Sequence, residues 1–182
     1  MKEMHEDQAS ASRRAGRSRR LGGVGAALVC AASLIASHAL AATLSLDVKG
    51  KIANTNDATH TVYHFSEAQL LALPVHAITT STTWTPRSTF TGPLLSDVLK
   101  TVGANGTQLE IHTFDDYTCV VPMADAGRYG VVLAYSMNGQ RLKMSDFGPL
   151  FLIYPRDTFP SELGGPGGDS KFAWQIKSIV VK

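Results

Sequence analysis

Residues 133–142 read LAYSMNGQRL, and this stretch decides the fold of the 182-residue chain. Its first three residues belong to an apolar run from Val131 to Tyr135, and such a run is typical of a buried strand. Asn138-Gly139 then supplies the pair that two-residue hairpin turns favour, because both turn positions need a positive φ. The stretch therefore predicts a β-hairpin.

Other strand patterns lie on both sides of this hairpin. In residues 108–114, Leu109, Ile111 and Thr113 share one face, and His112 lies on the opposite, solvated face. Similar patterns predict strands at residues 43–51, 62–65, 75–84 (running into a loop), 117–122, 150–154 and 174–181. The chain is therefore predicted to be mainly β.

Helix signals are few. Ser66 and Gln69 form a capping box at the start of a short helix that Pro74 ends. Pro93 is predicted in the first turn of a second helix, and Gly103 is a natural residue to end it.

The remaining segments have weaker patterns. Residues 123–128 are predicted as a short helical or irregular link, and the glycine-rich residues 161–170 as a mobile surface loop. The sequence contains no internal repeat and no sign of a second domain. Many short strands with few helices predict an α+β fold.

The first 41 residues differ in composition from the rest. They carry six basic and three acidic residues, which leaves 11 basic and 12 acidic residues in the remainder. A positive start, an uncharged run at residues 21–40 and the small-x-small end Ala39-Leu40-Ala41 are typical of a secretory signal peptide. We predict a signal peptide at residues 1–41, a domain at residues 42–182, and a bacterial periplasmic or secreted location.

Two alternatives concern the membrane and the export route. The uncharged run is long enough to span a bilayer as an uncleaved anchor, although its Gly, Ala and Ser content favours cleavage and no stable membrane insertion. Ser18-Arg19-Arg20 hints at twin-arginine export, but Leu21-Gly22-Gly23 replaces the usual apolar pair, so Sec export stays open.

After the leader the chain has no basic stripe, which excludes a nucleic-acid partner.

General catalytic and metal-binding motifs are absent from the sequence. It has no Gly-rich phosphate loop and no Gly-x-Ser-x-Gly nucleophile elbow. His60 and His64 are four residues apart in an extended region, which argues against a shared metal. Cys119 lies in a predicted strand, where burial keeps a thiol unreactive. Asp115-Asp116 is predicted as a turn with two solvated acids rather than a catalytic carboxylate pair.

The order of several segments carries a resemblance to a known family. FTGPLLSDVL at residues 90–99 resembles the aromatic-x-Gly-x-x-Leu-x-Asp-Leu-Leu segment of the sulfite-oxidase-like molybdopterin-binding domain. The hairpin at residues 133–142 is similar to that family's Leu-Ala-Tyr-x-x-Asn-Gly-x-x-Leu hairpin, the most specific match. The other matching segments are Asp116-Tyr117 with Pro122, Gly148-Pro149-Leu150 with Ile153-Tyr154-Pro155, and Lys171-Phe172-Ala173-Trp174 with Ile179.

This resemblance extends over residues 62–181 and has consequences for the fold. It implies a single compact α+β domain of mixed β-sheet, of the sulfite oxidase molybdopterin-binding type, with a few short helices. It also implies a pterin pocket formed by loops.

Two departures from the family's pattern concern the cofactor. The family's molybdenum-ligating cysteine stands in the loop before the helix, where this chain reads TTSTTW at residues 79–84. A hydroxyl is a harder and far less acidic ligand than a thiolate, which argues against molybdenum. Phe151 stands where family members often carry an arginine, which removes a positive group suited to phosphate. The chain thus resembles a short, exported branch of the family that lacks the ligand cysteine.

The resemblance also implies which loop residues would hold a molybdopterin. Trp84 would stack on the pterin, Tyr117 would donate a hydrogen bond, and Arg87, Arg156 and Lys171 would hold phosphate. Each has a structural alternative: Trp84 in the core, the two arginines as solvated loop residues, and Lys171 as a residue that only flanks a strand. No catalytic residue and no metal ligand is predicted.

Two function classes follow. The favoured class is an exported, non-catalytic module that binds a pterin or another small anionic ligand without molybdenum redox chemistry, with an envelope sensor or redox protein as candidate partner. The alternative is an active molybdopterin-dependent oxidoreductase, or a subunit of one, with a non-cysteine metal ligand.

Overall fold

The computed structural model describes residues 43–182, so the predicted signal peptide lies outside the described residues and stays a prediction. The strands are β1 Leu46–Gly50, β2 Val62–Phe65, β3 Val75–Thr80, β4 Ser88–Pro93, β5 Gln108–Thr113, β6 Thr118–Pro122, β7 Val132–Ala134, β8 Ser136–Met137, β9 Gln140–Arg141, β10 Phe151–Ile153 and β11 Ile176–Val181. The helices are α1 Glu67–Ala72, α2 Leu95–Thr101, α3 Asp125–Tyr129, α4 Pro160–Leu163 and α5 Gly165–Asp169. Among these helices, none is long and apolar enough to cross a membrane.

The strands form three sheets. The largest has the order β2-β1-β11-β5-β6, in which β1 and β11 are parallel and the other neighbours antiparallel. A second antiparallel sheet has the order β3-β4-β8-β9, and β10 pairs with β7 in the third. This mixture of parallel and antiparallel pairs with a few short helices confirms the predicted α+β fold.

The core is built from faces that the sequence patterns predict. In β5 the residues Leu109, Ile111 and Thr113 are buried, as their alternation indicates. The strands β7 and β10 are buried along their whole length, so this short pair lies inside the domain. An isolated bridge from Leu152 to Ala173 ties the pair to the segment that precedes β11.

The two segments that carry most of the family resemblance pack directly against each other. The hairpin of β8 and β9 turns at Asn138 and Gly139, with φ angles of 51° and 77°, as predicted. Gly92 in β4 lies so close to β7 that a Cβ there would be 2.0 Å from the carbonyl oxygen of Leu133. Only glycine allows this approach, which explains the glycine of residues 90–99.

The helix predictions have mixed outcomes. The capping box of Ser66 and Gln69 is present at the start of α1. The prediction for Pro93 is wrong: it is the last residue of β4, because Leu94 still bridges to Val132 before α2 begins. The loop prediction for residues 161–170 is also wrong, since α4 and α5 form there with a proline in the first turn of each.

Candidate functional site

A cavity of about 370 Å³ lies where three chain connections meet. They are the turn from β3 to β4, the turn from β5 to β6, and the segment from α5 to β11. Pairing of β5 with β11, extended by a hydrogen bond of 2.9 Å from Phe114 N to Gln175 O, holds the last two connections together. The volume is within the range of small-molecule sites.

Aromatic side chains form the apolar wall of this cavity. They are Trp84, Tyr117, Phe172 and Trp174. The Trp84 ring centre lies 4.7 Å from that of Trp174 and 6.4 Å from that of Phe172, both edge to face. Trp84 is 43% exposed and Tyr117 is 51% exposed, so a flat ligand can reach their rings.

Polar side chains complete the wall: Thr113, Asp115, Asp169 and Ser170. The Asp115 carboxylate accepts hydrogen bonds from the Thr113 hydroxyl and, at 3.4 Å, from Tyr117 N. These bonds lower the pKa of Asp115, and the bond from Thr113 has the largest effect. Asp115 is therefore ionised at neutral pH.

The second carboxylate of the wall, Asp169, has a different environment. Its Oδ1 lies 3.1 Å from Arg156 Nη1, but the two are not aligned for a hydrogen bond, and this buried oxygen accepts none. Arg156 Nη1 instead donates to Thr83 Oγ1 at 3.1 Å. The cavity wall therefore contains two acids. Asp115 has no ion-pair partner among the described residues, and Asp169 lies beside Arg156.

The structure brings two of the five predicted cofactor residues into one wall. Trp84 and Tyr117 line the cavity, and Arg156 stands behind Asp169. The Arg87 side chain is 67% exposed, lies 3.5 Å from Asp157 Oδ2 and is not one of the lining residues. Lys171 is not a lining residue either, although it lies between two of them in the sequence.

Lys171 lies on the inner side of the cavity wall. Its Nζ donates to the buried Asp125 Oδ2 at 2.5 Å, and the same oxygen accepts from the Tyr154 hydroxyl at 3.2 Å. The ammonium group is also 5.7 Å from the Tyr129 ring centre, within reach of a cation–π contact. Burial raises the pKa of Tyr154, which keeps this hydroxyl a donor. Lys171 thereby anchors the segment that carries the neighbouring wall residues.

The thiol of Cys119 is on the inner side as well. It is buried, as the sequence predicts, and its Sγ donates to Ser170 O at 3.1 Å. Burial raises the pKa of this thiol to about 11. It is therefore protonated at neutral pH and poorly suited to ligate a metal.

The turn of residues 80–85, here called the hydroxyl turn, leads to Trp84. Ser81 donates to Asp157 from its amide at 3.1 Å and from its hydroxyl at 2.6 Å. Thr82 Oγ1 accepts from Trp84 N at 3.1 Å and from Thr85 N at 3.0 Å. The Ser81 and Thr82 hydroxyl groups are thus used to hold the turn itself.

Several lining residues escape prediction from the sequence. The sequence predicts Asp115 as a solvated acid of a turn, and it is exposed, but no pattern predicts that it also lines the cavity. Asp169 and Ser170 end a glycine-rich stretch without periodicity, so no pattern indicates their position. Phe172 and Trp174 belong to a segment with a family match, but only the tertiary structure shows that their ring centres lie 6.4 Å and 4.7 Å from that of Trp84.

Comparisons with known proteins agree with this structure. The model of the oxidoreductase molybdopterin binding domain matches residues 43–159, more than half of the chain. The match includes Trp84, Asp115 and Tyr117 and ends before the wall segment that begins at Asp169. A search of curated protein sequences finds no significant match. On the family match, the chain belongs to the oxidoreductase molybdopterin binding domain family.

Proposed function

We propose that this protein is an exported binding module that holds a pterin ring in the aromatic cavity without molybdenum redox chemistry. The observation that carries the proposal is the wall of Trp84, Tyr117 and the half-buried Trp174, the first two with exposed rings, beside the ionised Asp115. Aromatic faces stack on a flat heterocycle, and a carboxylate accepts hydrogen bonds from its ring N–H and amino groups. An envelope sensor or redox protein is the proposed partner.

The donor groups support binding without a thiolate-held molybdenum. Ser81 and Thr82 lie in the turn that the resemblance aligns with the family's ligand cysteine, and both hydroxyls have protein partners. Cys119 is buried and protonated at neutral pH. The residues present therefore do not fit this metal, and we assign no step of chemistry to it.

The positive groups support contact with the ring more than with a phosphate. Arg87 and Arg156 lie 3.5 Å and 3.1 Å from the carboxylates of Asp157 and Asp169, respectively. A phosphate would have to compete with both carboxylates for these arginines. In this proposal the ring enters the cavity, and any phosphate group stays at its rim.

The test uses the full chain, expressed in a bacterium that makes molybdenum cofactor, and the protein purified from it. Molybdenum is measured by mass spectrometry, released pterin by its fluorescence, and added pterin by quenching of tryptophan emission. We expect pterin without molybdenum, with the first residue of the exported protein near Ala42. Stoichiometric molybdenum with pterin would overturn the proposal in favour of an active oxidoreductase, and absence of any pterin binding would overturn it altogether.

A matched pair of variants tests the location of the site. Trp84→Ala removes a lining ring and should weaken pterin binding about tenfold. Arg87→Ala, close in the sequence but 67% exposed and outside the wall, should bind as the unchanged protein does. Equal affinity of both variants would contradict the assignment of the cavity.

A further inference from the structure

The charge of the cavity wall is the opposite of what an anion site requires. Asp115 forms no ion pair within the described part of the chain, and Lys177, the cation that affects its pKa, is bonded to Asp116 at 2.7 Å. Arg156 offsets part of the Asp169 charge from behind, and Lys171 is directed to Asp125. Among residues 43–182, no lysine or arginine lines the cavity. A ligand in it therefore meets net negative charge.

The aromatic wall adds a second preference of the same sign. The faces of Trp84, Tyr117 and Trp174 carry the negative side of the ring quadrupole, which attracts an organic cation at short range. Trp84 and Trp174, both lining residues, lie edge to face at 4.7 Å, with their ring planes inclined to each other by 63°. Aromatic rings with an ionised carboxylate are a known combination for cationic ligands.

We propose that the cavity selects planar, positively charged nitrogen heterocycles, protonated or N-alkylated, over neutral and anionic rings of the same shape, and that Asp115 is the specificity-determining residue. The proposal rests on the proposed function, because it concerns the same cavity: a neutral pterin ring binds there by stacking and hydrogen bonding, and the Asp115 charge further favours a cationic ring of similar shape. It replaces the small anion of the sequence analysis with a cation, since an anion would lie beside Asp115 without a compensating positive group.

The experiment compares rings of one shape and three charges on the purified protein. The probes are nicotinate, nicotinamide and 1-methylnicotinamide, with pterin as the reference ligand, and tryptophan quenching gives each dissociation constant. We expect 1-methylnicotinamide to bind about tenfold more tightly than nicotinamide, and nicotinate to bind most weakly. Added salt should reduce this difference.

Two variants of one turn separate a wall carboxylate from a distant one. Asp115→Asn keeps the acceptor oxygen for Thr113 and should reduce the preference for the cation over the neutral ring to about twofold or less. Asp116→Asn removes the same charge one residue away, on a side chain that is 88% exposed, and asparagine tolerates its φ of 64°. This control should keep the preference of the unchanged protein.

The outcomes distinguish this inference from the proposed function. If pterin binds but the three probes bind equally, or nicotinate binds best, the charge selection is wrong and the pterin site stands. If the two variants lose the preference equally, Asp115 is not its source, and that assignment is wrong. If neither pterin nor any probe binds, the proposed function and this inference both fail.

Discussion

The hydroxyl turn and the cavity wall meet at Trp84, but they treat their polar groups in opposite ways. In the turn, the hydroxyl groups of Ser81 and Thr82 are bonded to protein atoms at 2.6–3.1 Å. In the wall, Asp115 is open to the cavity, and the buried Oδ1 of Asp169 accepts no hydrogen bond. The hydroxyl groups of the turn are occupied by protein partners, whereas the exposed Asp115 carboxylate can accept further hydrogen bonds from a ligand.

This difference separates two features that the family resemblance alone would predict together, a metal-binding loop and a pterin pocket. The segment that the resemblance aligns with the metal-binding loop forms a structural turn held by its own hydroxyl groups. The aromatic cavity beside it retains the features of a binding site. The comparison predicts that the wall and the turn can be disrupted independently.

The largest effect is expected from the anchor behind the wall. Lys171→Met keeps the apolar stem of the side chain but leaves the buried Asp125 without its cation. Removing one partner of a buried ion pair should lower the free energy of unfolding by about 3 kcal/mol. It should also weaken pterin binding, because Ser170 and Phe172 lose their support. Urea denaturation and tryptophan quenching measure the two effects.

The control for this variant is a lysine in an exposed pair. Lys177 lies 2.7 Å from Asp116, whose side chain is 88% exposed, so Lys177→Met should cost less than about 1 kcal/mol. Similar losses for both variants would mean that Lys171 contributes no more than a surface charge. The wall would then need another anchor.

A smaller effect is expected from the turn. Asp157→Asn weakens the charge-assisted bonds from the Ser81 hydroxyl and amide and should cost about 1 kcal/mol near neutral pH. Trp84 is held through Thr82 rather than through Asp157, so pterin binding should change little. Arg87→Ala, which removes the more distant partner of Asp157, is the control and should cost less still.

The pH dependence of this variant has a definite sign. Hydrogen bonds from Ser81, with Arg87 nearby, hold the pKa of Asp157 below its ordinary value. A lowered carboxyl pKa stabilises the folded state above the ordinary pKa of about 4, and this contribution is lost as the pH falls through the folded-state pKa. The stability difference between the unchanged protein and Asp157→Asn should therefore shrink below about pH 4. A difference that persists unchanged at low pH would exclude Asp157 ionisation as its cause.

The sequence predicts the parts of this molecule that local patterns determine. Alternation in β5, the Asn138-Gly139 turn and the Ser66 capping box depend on neighbouring residues, and all three are confirmed. The error at Pro93 has a tertiary cause, because the bridge from Leu94 to Val132 extends the strand past a residue that favours a helix start.

The site is harder to predict because its parts come from three distant connections. Trp84 and Tyr117 were proposed from the family's segments, and the cavity includes both. Asp169 reaches the wall only because α5 forms in a stretch of glycines and a proline, and no periodicity reports that. For the predicted phosphate-binding residues, the sequence shows the positive charges but not which carboxylates lie beside them. Asp157, for example, is 70 residues from Arg87 in the sequence.

The smallest effect is expected from placing a thiol in the hydroxyl turn, although the family resemblance alone would predict that a thiol there gains molybdenum. Ser81→Cys places a thiol in the hydroxyl turn, at a side chain directed to Asp157. A carboxylate at this distance raises the pKa of a thiol and disfavours the thiolate that a metal needs. We expect no molybdenum in this variant, measured by mass spectrometry after expression with cofactor synthesis, and a stability change within about 1 kcal/mol. Thr82→Cys is the companion variant, since its hydroxyl holds Trp84 and Thr85 instead. Stoichiometric molybdenum in either variant would show that the turn is a metal site that lacks only its thiolate, and the contrast between turn and wall would no longer hold.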